Sequence, residues 1–188
     1  MNEFISSDTV IFHCELKVST GSVTSLLNNE PNKIDQVLSP KLNFNWVFLD
    51  KGLSDVKLKT ACGKEIPSHR VVLATASPVF KAMFNHDMLE NKSQLVDMID
   101  ISHEATVEML RYIYTGSVET SEFPLTIDLL AAADKYQLEE LKNKCGEILS
   151  AKLSTGNGIE TLSVAVKYNM DCLKQKAADF IKLHINKF

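Results

Sequence analysis

Asp55-Val56-Lys57-Leu58, Glu65-Ile66-Pro67-Ser68-His69-Arg70-Val71-Val72-Leu73-Ala74, Ser77-Pro78-Val79-Phe80-Lys81-Ala82-Met83-Phe84 and Met109-Leu110-Arg111-Tyr112-Ile113-Tyr114-Thr115-Gly116 succeed one another in the stretch that decides the fold. Val56 and Leu58 alternate with Asp55, Lys57 and Lys59, the period of a half-buried strand. Cys62-Gly63-Lys64 is a turn signal before the next strand. Ser77-Pro78 starts a helix, because the Ser oxygen caps free backbone N–H groups and Pro at the first helical position loses no hydrogen bond. Leu95, Val96, Met98, Ile99 and Ile101 read as another strand. Ser102 caps the helix after it, with Glu104 in the first turn, and Thr115-Gly116 closes that helix behind a face of Val107, Leu110 and Tyr114. Two short strands, two short helices, a strand and a longer helix make an α+β domain.

Outward from this stretch, the C-terminal third repeats itself. Lys135-Tyr136-Gln137-Leu138-Glu139 is echoed by Lys167-Tyr168-Asn169-Met170-Asp171, and Ala133 by Ala165, at an offset of 32 residues. Each copy reads as a short helix, a tight turn after Lys-Tyr and a longer helix. Leu138, Leu141, Cys145 and Ile148 line one longer helix, and Leu173, Ala177, Phe180 and His184 the other. Two copies are too few for a free-standing stack, so they are expected to pack on the α+β core.

Towards the N-terminus, Val10, Phe12, Cys14, Leu16 and Val18 alternate as a strand, and Ser19–Gln36 has the composition of a linker. Ser39-Pro40 opens a helix expected to run to about Asp50 and to end at Gly52. Phe44, Trp46, Val47 and Phe48 are more large apolar groups than a helix at the margin of a small domain needs. They pack on their own domain or form a seam with another copy.

The 188 residues are 45% hydrophobic with net charge −4, enough for a core and without a basic stripe for nucleic acid. No run approaches the roughly 20 apolar residues of a membrane span, and the first residues lack the pattern of a signal peptide. Cys14, Cys62, Cys145 and Cys172 are scattered, as are the five histidines, which argues against both a disulfide framework and a metal site. There is no phosphate loop and no nucleophile elbow, and Ser102-His103-Glu104 are too close in sequence to converge on one atom. No enzyme and no cofactor are expected.

From Asp55 to Thr115, order, spacing and residue identity resemble the BTB/POZ domain, an interaction fold. Ser7-Asp8-Thr9-Val10-Ile11-Phe12-His13-Cys14-Glu15-Leu16 resembles the last strand of the substrate-reading MATH domain that precedes BTB in speckle-type POZ proteins. The resemblance implies a MATH remnant plus linker over residues 1–38, most of the MATH domain being missing, a BTB domain over 39–153 and a C-terminal helical box over 154–188. It implies a homodimer whose seam uses Phe44, Val47, Phe48 and Val72, with Asp55 and Arg70 as a buried charged pair near it. His69 is expected to be a packed, hydrogen-bonded core residue. Met88-Leu89-Glu90 matches the apolar-any-Glu pattern of the cullin-binding loop, and the helical box would widen that contact. The implied function is a homodimeric adaptor joining cullin-3 in a ubiquitin ligase, located in nucleus or cytoplasm and not secreted. The alternative is a dimerisation module without ligase activity that titrates full-length MATH-BTB relatives. Neither nucleic acid nor membrane is expected as a partner.

Overall fold

The structure, a computed structural model, describes residues 44–85 and 94–184. The expected strand over Val10–Val18, the linker after it, the start of the Ser39-Pro40 helix and the Met88-Leu89-Glu90 pattern lie outside the described residues.

Strand β1 (Val56–Thr60) buries Val56, Leu58 and Thr60 and exposes Lys57 and Lys59, as its alternation requires. It turns at Gly63, whose φ of 80° suits the missing Cβ, and pairs antiparallel with β2 (Glu65–Ser68), Leu58 opposite Ile66. Helices α1 (Arg70–Ala76) and α2 (Pro78–Asn85) then return the chain to β3 (Leu95–Met98). β3 pairs parallel with β1 and completes a sheet of order β2-β1-β3. The strand stops at Met98. Ile99 is exposed in the turn that follows, so its apolar side chain extends the sequence pattern but not the ladder.

Ser77 acts as expected and does more. Its Oγ accepts the Phe80 N–H at 3.2 Å and donates to the Tyr136 carbonyl at 2.7 Å, tying the start of α2 to the helical repeat. Ser102 caps α3 (His103–Thr115) by accepting the Ala105 N–H, and Gly116, at φ 72°, ends it. Glu108 in α3 is buried, and three donors face its side-chain oxygens: the Glu119 and Thr120 N–H groups and Arg111 Nε.

The repeat is two helical hairpins, α4 (Phe123–Lys135) with α5 (Glu139–Ala151) and α6 (Gly158–Lys167) with α7 (Asp171–Leu183). The turns are the same object built twice. Gln137 and Asn169 both take a left-handed φ, at 53° and 54°. Leu138 N–H donates to the Ala133 carbonyl, and Met170 N–H to that of Ala165, each at 2.8 Å. The fully buried Ala133 and Ala165 let that turn close. The packing differs from the sequence reading in both longer helices: in α5 Leu149 and not Ile148 enters the core, and in α7 Leu173 and Ala177 are buried while Phe180 and His184 are half-buried. Gly146 matters for the stacking of the two hairpins, since a Cβ there would meet the Met170 methyl at 2.5 Å. Among the described residues no helix is long and apolar enough to cross a membrane.

Burial makes this core sensitive to alkali. It pushes the Tyr112 and Tyr114 phenols and the Cys145 thiol each up to about 12, and it raises the Tyr136 phenol in the same direction; the Glu140 carboxylate adds to the effect on Tyr112. The unfolded chain loses these protons near 9 and 10 while the folded chain keeps them. Their contribution is therefore complete below about pH 9 and is lost as pH rises through about 12. Urea midpoints are expected to fall steadily from pH 8.5 to 11, and an unchanged midpoint would contradict the burial of these groups.

Candidate functional site

Tyr114, near the end of α3, holds together the two segments that carry exposed apolar side chains. Its backbone carbonyl accepts the Phe44 N–H at 3.1 Å, and its ring lies 5.9 Å from that of Phe48. Its hydroxyl accepts the His69 N–H at 2.9 Å and meets His69 Nδ1 at 2.9 Å. One side chain thus fixes residues 44–48 against the residues that open α1. Burial raises its phenol and the Asp55 carboxylate raises it further, while the His69 N–H acts in the opposite sense. His69 is a buried, hydrogen-bonded residue with its ring edge-on to Tyr114.

Within this frame the expected helix over 39–50 is, in its described part, a single 3-10 turn at Asn45–Val47. Three residues per turn place neighbours on sharply different sides. Val47 is 4% exposed and belongs to the chain's own core, whereas Trp46 is 70% exposed. The same division holds on α1, where Val72 is 5% exposed and Val71 70%. Val47 and Val72, both expected at the seam, are thus buried in the core of the single chain, with Trp46 and Val71 as their outward neighbours. Phe44 and Phe48 are half-buried against the core, and Arg111 lies over the Phe48 ring at 5.2 Å.

Between residues 44 and 76 the large outward apolar groups are Trp46, Leu49, Leu53 and Val71. Leu49 holds a φ of 61°, a left-handed conformation that costs a residue with a Cβ about 1 kcal/mol. Trp46 was legible in the sequence as part of the aromatic excess. Leu49, Leu53 and Val71 carried no local signal, because apolar type alone does not say which side of a turn faces out.

Asp55 and Arg70 are neighbours, but not as a buried charged pair in the single chain. Asp55 is exposed, and its Oδ1 accepts the backbone N–H of Arg70 at 2.8 Å. His69, at the cap position of α1, makes no side-chain cap bond, so the carboxylate from the start of β1 satisfies a free N–H of the helix. The Arg70 guanidinium lies over the Phe84 ring at 5.1 Å. These contacts position the start of α1. Among the described residues no group of His, Cys, Asp and Glu could hold a metal.

Comparison with known proteins bears on this arrangement. Residues 44–153 match the family model of the BTB/POZ domain. Among solved structures the chain is similar to the BTB domain of zebrafish PATZ1, at 23% identity and a TM-score of 0.49, covering 58% of this chain and 87% of that one.

Proposed function

Since the chain belongs to the BTB/POZ domain family, whose members are protein-interaction modules, we propose that it pairs with a second copy and, as a homodimer, docks on cullin-3 as the adaptor of a ubiquitin ligase. The observation that carries the pairing is the exposure of Trp46 and Val71 on two segments braced by one buried tyrosine. A large aromatic held rigidly at the surface loses little entropy when covered, which is what a protein interface needs. The cullin contact is assigned to Met88-Leu89-Glu90, which follows α2 in sequence, with a flexible Met for an apolar pocket and Glu for its polar rim. The α6–α7 hairpin lies beyond the matched residues and would extend the contact. Kinship with speckle-type POZ proteins is part of the proposal and rests on Ser7–Leu16.

Calorimetry with the N-terminal domain of cullin-3 tests it. The wild type is expected to bind, and Met88→Ala combined with Glu90→Lys to weaken binding by about thirtyfold or more, as loss of two interface anchors does. Unchanged affinity in the variant rejects the assignment of the loop. No binding by a dimeric wild type rejects the adaptor role and leaves the dimerisation module.

A further inference from the structure

Helix α6 presents a stripe of five exposed residues, Ile159, Glu160, Ser163, Val166 and Lys167. At 100° per residue they divide into two edges about Ser163, with Ile159 and Val166 on one and Glu160 and Lys167 on the other. Ile159 is 61% and Val166 52% exposed, an apolar pair left open on the outer hairpin. Glu160 makes no ion pair among the described residues, and Lys167 lies over the ring of its neighbour Tyr168 at 5.0 Å.

The first copy of the repeat shows what this stripe does when partnered. The equivalents of Glu160 and Lys167 there are Asp128 and Lys135, again an acid and a base. Both are engaged by the segment before α3: Asp128 accepts from Ser102 Oγ at 3.3 Å, and Lys135 binds both Asp100 oxygens at 2.6 and 2.7 Å. Ile127, the equivalent of Ile159, is packed against the core. In the second copy none of the described residues covers the same stripe, whose Ile159 and Val166 stay exposed.

We propose that a second copy of this chain covers it, α6 against α6 in antiparallel register. A two-fold axis across the helix keeps each edge on its own side and reverses its direction. Ile159 of one copy then meets Val166 of the other, and Glu160 meets Lys167. The small Ser163, its hydroxyl already bonded to the Ile159 carbonyl at 3.0 Å, sits at the crossing and lets the helices approach. A parallel pairing would set Ile159 and Val166 against the charged edge, so the charge pattern selects one orientation. Two such short helices bury less than the roughly 1,200 Å² of a standard interface, so the contact is weak and concentration-dependent. It goes beyond the pairing through Trp46 and does not rest on it. With both in place, two isologous contacts on one chain would join dimers into open strings.

Sedimentation of the full chain carrying Trp46→Arg, which removes the other contact, isolates this one. A reversible dimer at high micromolar concentration is expected. Adding Glu160→Lys alone, or Lys167→Glu alone, sets like charges across the axis and weakens association by about tenfold or more. An equimolar mixture of the two charge variants restores it, because each supplies the sign that the other lacks. The proposal is overturned if the Trp46→Arg chain is monomeric throughout, if either charge change leaves association untouched, or if the mixture associates no better than its components. A failure of the Trp46 contact shows separately, as identical behaviour of wild type and Trp46→Arg.

Discussion

A glutamate at position 72 is expected to unfold the chain, while a glutamate at position 71 leaves it folded and separates the copies. The two valines are adjacent on α1, yet Val72 lies in the core and Val71 in solvent. Val72→Glu forfeits the burial of a valine, about 1.5–3 kcal/mol, and forces a carboxylate to remain buried or to carry a proton, at a further cost of several kcal/mol. That sum is comparable with the whole stability of a domain, about 5–15 kcal/mol. Val71→Glu meets only water in the single chain and should move the urea midpoint by no more than about 0.5 kcal/mol equivalent. Circular dichroism and urea titration separate the cases. Equal effects of the two substitutions would contradict the burial pattern of α1.

Tyr136→Ala is the second large change. Its ring stacks on Phe80 with centroids 4.4 Å apart, and its hydroxyl donates to Met98 Sδ at 2.8 Å. The side chain therefore joins α2, β3 and the first hairpin, and removing it leaves a cavity among all three. The expected loss is about 3–5 kcal/mol. Tyr136→Phe keeps the stacking and removes only the hydroxyl contact, for a loss of about 1 kcal/mol. Tyr168 holds the same place in the second hairpin but is half-buried on the outer layer, so Tyr168→Ala should cost clearly less. Equal losses for Tyr136→Ala and Tyr168→Ala in urea titrations would show that the hairpins are energetically equivalent and would refute this account of the core.

Much of the fold is legible because its signals are local. The Ser77 and Ser102 caps, the Gly116 stop and the alternation of β1 each depend on residues within a few positions. The repeat is legible for a different reason: the same turn chemistry appears at Gln137 and Asn169 with the same backbone bond beneath it. What is not legible depends on contacts across the chain. Asp55 reads as half of an ion pair, but it completes the end of α1 because His69 supplies no cap bond. Val47 and Val72 are expected at the seam from the resemblance, and their burial in the single chain depends on packing that the resemblance does not show. On a 3-10 turn or a single helical turn, one residue separates core from solvent. Ile99 continues an apolar run, but the ladder to β1 stops at Met98 and leaves it in water.

The central claim is that this chain acts by holding a second copy through the surface carrying Trp46 and Val71. Light scattering behind a sizing column measures it most directly, at low micromolar concentration, where the weaker α6 contact is not populated. The wild type is predicted to have twice the 21.0 kDa mass of one chain, and folded Val71→Glu or Trp46→Arg the mass of one. A wild type with the mass of a single chain, or dimers undisturbed by both substitutions, would contradict the claim.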